Sequence, residues 1–238
     1  MIPAMVPTGA AGLASNLAQN IRYQGRKASR QGSEQRRQDI LDAAMRIVVR
    51  EGVRGVRHRA VAAEASVPLS ATTYYFNDID DLLSDTFARH VERSAAYMAK
   101  LWADNEERLR QMAARGDRSP EARSRLADDV AQTTADYIQH QLRTRRDALI
   151  AEQAFRQEAL LSPRLAELVR AHQGILLQGA CQLLQVLGAR EPEEDAQVLT
   201  AMIGRMEYQG LLGHADGATH AQRLGILKRY MHLVLDAA

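Results

Sequence analysis

Residues 56–76 contain a group of side chains suited to contacting a nucleic acid. Basic side chains at the start of this stretch can neutralise phosphates, and small side chains near its middle let a backbone approach base edges. Hydroxyl groups near its end can form hydrogen bonds with bases or phosphates. The candidate DNA contacts are Arg57, His58, Arg59, Pro68, Leu69, Ser70, Ala71, Thr72, Thr73, Tyr74 and Tyr75.

The residue types in this stretch predict different contacts. Thr72 and Thr73 offer hydroxyls for hydrogen bonds to bases and methyl groups for thymine. Tyr74 and Tyr75 carry their hydroxyls on rigid rings, which suits contacts with phosphates. We also expect at least one of these tyrosines, together with Phe76, to pack in a core rather than face DNA.

Two short helices joined by a tight turn would present these side chains. Ala62 and Ala65 are small enough for the helices to cross closely, Ser66 tolerates the bend, and Val67 completes the shared core. Pro68 suits the start of the second helix because the N–H that it lacks would be unpaired there. The stretch therefore predicts a helix-turn-helix over about 57–65 and 69–75, with its second helix in the major groove of DNA.

The first third of the chain is basic, as a polyanionic partner requires. Residues 1–76 contain eleven basic and five acidic residues, whereas the whole chain has a net charge of only +2. A basic region on a slightly acidic remainder favours binding to nucleic acid. The alternatives are a helical hairpin without a DNA role and a basic face that is simply solvated.

The apolar residues recur at spacings of three and four along most of the chain, which predicts an all-α fold of about nine helices. A first helix is predicted from about Ser33 to Arg50, with Gly52 suited to end it. Ser119-Pro120 and Ser162-Pro163 are typical helix starts. The predicted domains are a flexible basic tail at 1–32, a helix-turn-helix domain at 33–78 and a helical domain at 79–238, with the charged segment 103–120 as a flexible connection.

Residues 36–83 closely resemble the DNA-binding domain of the TetR family of regulators. The resemblance covers Ile40-Leu-Asp-Ala-Ala44, Val61-Ala62, Ala65-Ser66-Val67, Thr73-Tyr-Tyr-Phe76 and Asp80-Asp-Leu-Leu83. It implies an all-helical homodimer with a three-helix DNA-binding head and a ligand-binding body. It also implies a transcriptional repressor that a small molecule releases from a palindromic operator.

This sequence departs from the family pattern at three positions. Ser66 stands where the family usually has glycine, and Arg57 stands where a capping Thr or Ser is common. Ile79 replaces a frequent phosphate-binding lysine, so that contact is not expected here. The resemblance fades after about residue 95, so it does not identify the ligand.

Apolar stripes in the C-terminal part predict a dimer interface of two helices from each subunit. The predicted interface residues are Val198, Met202, Met206, Leu224, Leu227, Tyr230, Met231 and Val234. An effector pocket is predicted among the preceding helices, since pockets are mostly apolar with a few polar groups. Its predicted residues are Tyr97, Met98, Trp102, Tyr137, Phe155 and His172. For both sets the alternative is ordinary core packing within one chain.

The sequence contains no phosphate-binding loop, catalytic serine motif or zinc-protease motif, so it predicts neither an enzyme nor a cofactor or metal site. Its seven histidines are scattered, and Cys181 is its single cysteine, which suits a reducing cytoplasm. The first 20 residues make a poor signal peptide because they lack a basic leading region. The alternatives are a regulator that binds DNA without an effector, one that activates transcription, and a helical-bundle enzyme.

Overall fold

The computed structural model describes residues 23–26, 31–114, 119–213 and 217–236. In this part of the chain we find nine α-helices, one 3-10 turn and no strand, so the all-α prediction is confirmed. The helices are α1 (Gln31–Glu51), α2 (His58–Glu64), α3 (Leu69–Tyr75), α4 (Ile79–Ala114), α5 (Pro120–Thr144), α6 (Arg146–Glu158), α7 (Pro163–Leu187), α8 (Pro192–Leu211) and α9 (Gly217–Asp236). None of the helices in these ranges is long and apolar enough to cross a membrane.

Local sequence signals account for most helix boundaries. Gly52 adopts a φ of 77°, which ends α1 as predicted and leads into the 3-10 turn Val53–Gly55. Ser119 Oγ accepts a hydrogen bond from the Ala122 N–H at 3.2 Å, so this residue caps α5 ahead of its proline. Ser162 Oγ accepts from the Leu165 N–H at the start of α7 in the same way.

The prediction of a flexible connection over 103–120 is wrong for its first part, because α4 continues as a helix to Ala114. This segment is rich in Ala, Glu, Arg, Leu and Met, which are good helix formers. Residues 115–118 lie outside the described part of the chain.

The described residues form two compact units, whose boundaries differ from the predicted division after residue 78. The head unit comprises those within Asn16–Ala96 and Ile150–Gln173, and the body unit comprises those within Tyr97–Leu149 and Gly174–Ala238. The first half of α4 thus belongs to the head unit, together with part of α6 and of α7. A hydrophobic core fills the body unit between α5, α7, α8 and α9, with Ile138, Leu184, Leu199, Leu227 and Met231 fully buried.

Candidate DNA-binding interface

The head is built on the apolar face of α1. Ile40, Ala44 and Ile47 of this face are fully buried, as are Val61 of α2 and Phe76 just after α3. This spacing along α1 is the one the sequence predicted for a helix with a single buried face. The core holds α2 and α3 in place, so that α3 presents its other side to solvent.

The turn between α2 and α3 has the geometry of a Schellman C-cap. The Val67 N–H donates to the Ala62 carbonyl at 2.9 Å, and the Ser66 N–H donates to the Ala63 carbonyl at 3.1 Å. Ser66 lies in the left-handed region with a φ of 54°. Glycine adopts this conformation most easily because it has no Cβ atom, which explains why the family usually has glycine at this position. Ser66 adopts the same conformation despite its side chain.

The exposed face of α3 carries Leu69, Ser70, Thr73 and Tyr74, with Pro68 exposed just before it. Residues at i, i+1, i+4 and i+5 share one side of an α-helix, so the four side chains form a continuous surface. We call these four residues the reading face. Ala71 is partly exposed beside it.

Two predicted contacts of α3 lie on its buried side. Thr72 is fully buried, and its hydroxyl donates to the Leu69 carbonyl at 2.8 Å. Tyr75 is also buried, and its hydroxyl lies 2.8 Å from Ser33 Oγ. Since the core occupies this side of the helix, neither side chain reaches the surface that the reading face presents. The expectation that one tyrosine joins Phe76 in the core agrees with this arrangement.

The basic residues around α2 differ in whether they are paired. Glu64 accepts hydrogen bonds from Arg46 at 2.7 Å and from Arg50 at 3.2 Å, and these bonds hold the pKa of the Glu64 carboxyl below its usual value. Both arginines are therefore engaged in ion pairs within the head. Arg57 and Arg59 are exposed, and among the described residues neither forms an ion pair, which leaves both available for phosphates. His58, beside them, is half-buried.

A short segment lies against α3, within the range 1–32 that the sequence predicted as a flexible basic tail. The Arg26 N–H donates to the Tyr75 carbonyl at 2.9 Å, and the Arg26 guanidinium lies 4.5 Å from the centre of the Tyr74 ring. The N–H groups of Gln24 and Gly25 donate to the Asp85 carboxylate at 2.6 and 2.8 Å. Arg26 is thus held beside the reading face. The other basic residues of the predicted tail, Arg22, Lys27 and Arg30, lie outside the described residues.

The predicted effector residues fall into two groups. In the body unit, Gln141 donates to the Tyr97 hydroxyl at 2.9 Å, Tyr137 contacts the sulfur of Met98, and the Trp102 ring lies against Gly179. Phe155 and His172 instead lie in the head unit. There they are buried around Phe87, whose ring centre is 4.4 Å from that of Phe155.

The predicted dimer residues are similarly divided. Met206, Leu227, Met231 and Val234 are buried in the core of the body unit, and Met202, Leu224 and Tyr230 are partly buried against it. Of the predicted residues, Val198 is the one that is largely exposed. Four further apolar residues on the outer sides of α9 and of α8 with its C-cap are exposed: Tyr208, Leu212, Ile226 and Leu233.

Comparisons with known proteins agree with this geometry, although no family model matches the chain. The HTH-type transcriptional regulator BetI of Burkholderia lata is 29% identical over 205 residues, which cover 85% of this chain and 95% of that protein. A solved TetR-family structure from Streptomyces coelicolor A3 has a TM-score of 0.59 and 28% identity, and covers 82% of this chain and 97% of that one. The multidrug binding protein EbrR, solved with ethidium, has a TM-score of 0.57 and 28% identity over similar shares, 82% and 97%. The helix-turn-helix geometry agrees with these comparisons, in which the proteins similar to this chain are DNA-binding transcriptional regulators that include members of the TetR family.

Proposed function

We propose that the protein is a dimeric transcriptional repressor, which reads a palindromic operator through α3 and leaves it when a small-molecule effector binds. The observation that carries this proposal is the reading face, Leu69, Ser70, Thr73 and Tyr74, which lies exposed on a helix whose opposite side is anchored in a core. Short and hydroxyl-bearing side chains on such a face suit the major groove. A regulator of this kind acts in the cytoplasm, where the DNA is.

The phosphate contacts proposed around this face come from Arg57 and Arg59, with Arg26 as an addition from the N-terminal segment. Stacking on Tyr74 limits the rotamers of Arg26 and so reduces the entropy lost when its guanidinium binds a phosphate. The exposed Tyr74 hydroxyl is suited to a phosphate as well. These contacts position the head, whereas Thr73 and Ser70 supply the sequence preference.

The proposed dimer interface consists of the exposed apolar residues of α8 and α9 rather than of the buried ones. Ile226 and Leu233 are seven residues apart, and therefore lie two turns apart on one side of α9. Val198 and Tyr208 of α8, and Leu212 just after it, are about half exposed or more. Apolar side chains on two neighbouring helices favour burial against a second subunit.

The effector is proposed to be a small organic molecule. The support is the relative EbrR, whose solved structures contain ethidium and, in another case, proflavin. The residues proposed to contact the effector in the body unit are Tyr97, Met98, Trp102 and Tyr137. Nearly complete release from DNA requires the effector to prefer the released conformation by about 10⁴-fold.

Selection of bound sequences from a random DNA pool tests the proposal. We expect a palindromic motif of two half-sites whose centres lie about 34–36 Å apart along the DNA, because a two-fold dimer places its two reading helices in that way. Recovery of no motif, together with weak binding that depends only on salt, would contradict sequence-specific regulation.

Thr73→Ala is expected to relax sequence preference at one base pair of each half-site, with a loss of about 1–3 kcal/mol of discrimination there. The physical reason is the loss of an exposed hydroxyl and methyl group from the centre of the reading face. The measurement is the affinity for the selected operator and for single-base variants of it. Arg59→Ala is the matched control: it should weaken binding to all sequences alike and reduce the slope of log K against log salt by about one. If Thr73→Ala instead lowers the affinity for every sequence equally, Thr73 does not read a base.

A further inference from the structure

Three residues that are far apart in the sequence meet inside the head unit. His90 lies on α4, Glu152 on α6 and His172 on α7. One nitrogen or oxygen atom from each of them lies within 4.8 Å of the other two. Both histidines are buried, and the Glu152 side chain is only 12% exposed.

The donor set matches a transition-metal ion. Two imidazole nitrogens and one carboxylate oxygen form a common protein site for Zn²⁺, in which a fourth position is open to water or another ligand. Metal–ligand bonds of about 2.0–2.2 Å in a tetrahedral site place the ligand atoms roughly 3.4 Å apart. His172 Nδ1 and Glu152 Oε1 are already 3.8 Å apart, so small side-chain rotations would complete the site.

The surroundings of His172 orient it for this role. Its Nε2 lies 2.8 Å from Ser94 Oγ, and Ser94 is one helical turn after His90 on α4. When the Ser94 oxygen accepts the proton of Nε2, the lone pair of Nδ1 faces Glu152. A hydrogen bond to the second ring nitrogen is the usual device that fixes the tautomer of a metal-binding histidine.

Aromatic rings enclose one side of the cluster. The ring of Phe87 stacks on the ring of His90 with 5.6 Å between the ring centres. The Phe87 and His172 rings meet edge to face, with 6.5 Å between their centres. Phe155 packs on Phe87 in turn. An apolar wall of this kind keeps water from competing with the protein ligands and limits the movement of the rings.

Arg156 now occupies part of the space around the carboxylate. Its Nη2 lies 2.6 Å from Glu152 Oε1, and its side chain is about a third exposed. Since Arg156 lies near the surface, its guanidinium can turn toward solvent when a divalent cation takes its place beside Glu152. The arginine also keeps the cluster close to neutral in the absence of metal.

We propose that His90, Glu152 and His172 bind one divalent transition-metal ion per chain, with Zn²⁺ as the best match to the donors. The bound ion links α4, α6 and α7 within the head unit. This inference does not depend on the operator, the dimer or the organic effector proposed above.

A metal titration of the full-length protein tests the site. The protein is stripped with a chelator and titrated with Zn²⁺ in competition with a chromogenic chelator, and Co²⁺ absorption reports the coordination geometry. We expect one ion per chain and a rise in melting temperature, because the ion binds only the folded site. Glu152→Gln and His172→Gln should each weaken Zn²⁺ binding by about 100-fold or more, whereas Ser94→Ala, which only orients a ligand, should weaken it by about 10-fold.

The matched control is His140→Gln, since His140 is an exposed histidine on α5 of the body unit. Its Zn²⁺ affinity should equal that of the parent protein. Far-UV circular dichroism of each metal-free variant verifies that it folds, and Glu152→Gln, at a partly exposed position, decides the question if His172→Gln does not fold. The absence of stoichiometric binding by the parent, or equal binding by parent and Glu152→Gln, would overturn the proposal.

Discussion

Arg37→Met is expected to destabilise the DNA-binding head by about 3–5 kcal/mol, because it leaves a buried carboxylate without its cation. Arg37 Nη2 lies 2.6 Å from Asp85 Oδ2, and the two side chains are 4% and 0% exposed. A loss of this size is a large part of the roughly 5–15 kcal/mol that stabilises an ordinary domain. Denaturant unfolding followed by circular dichroism measures it, and operator binding should be lost in parallel.

The Arg37–Asp85 pair matters for DNA binding because Asp85 also holds the N-terminal segment. The Gln24 and Gly25 N–H groups donate to the same carboxylate. The backbone of Gly25 approaches so closely that a Cβ atom there would lie 2.8 Å from Asp85 Oδ2 and from the Phe76 ring. Loss of the pair therefore releases Arg26 from its position beside the reading face as well as weakening the core.

Two variants make this prediction specific. Arg50→Met removes an arginine whose side chain is 55% exposed, and its ion pairs are screened by solvent, so its stability should stay close to that of the parent. The double variant Arg37→Met, Asp85→Leu removes both buried charges and should be more stable than Arg37→Met alone. If Arg37→Met unfolds at the same denaturant concentration as Arg50→Met, the buried pair does not hold the head together.

Leu233→Glu is expected to separate the proposed dimer and to weaken operator binding by about 100-fold or more. A charge in the centre of an apolar interface has no partner, and a single head loses the gain in affinity that two linked heads provide. Leu233 is 63% exposed within one chain, so the substitution should leave the folded monomer intact. Sedimentation measures the oligomeric state, and binding to the selected operator measures the affinity.

The control for this substitution is Gln157→Glu, which introduces the same charge at an exposed position on α6. We expect it to remain dimeric and to bind the operator as the parent does. Ile226→Glu, seven residues before Leu233 on the same side of α9, should reproduce the effect of Leu233→Glu. Dimers that persist in both α9 variants would place the subunit interface elsewhere on the protein.

Local sequence patterns were sufficient for the elements of the head and for a helix start in the body unit. The buried face of α1, the glycine that ends it and the serine caps before Pro120 and Pro163 depend on residues a few positions apart, and all were predicted. The turn around Ser66 was predicted for the same reason, because its hydrogen bonds join residues within one or two helical turns.

Other features depended on which side of a helix the tertiary structure buries. Thr72 and Thr73 are the same residue type in neighbouring positions, yet one is fully buried and the other is exposed on the reading face. Likewise, Leu227 lies in the core of the body unit while its neighbour Ile226 faces solvent. Composition predicts an apolar stripe, but its rotation about the helix axis is set by packing against other helices.

The sequence by itself determined an all-helical fold with a helix-turn-helix, since these follow from periodicity, caps and turn residues that act locally. Only the tertiary structure decided which side chains form the reading face, and that Asp85 anchors a segment some sixty residues earlier. It also brought His90, Glu152 and His172 together from three helices. The spacing of residues along the sequence does not predict such contacts, because they arise where separate helices pack against one another.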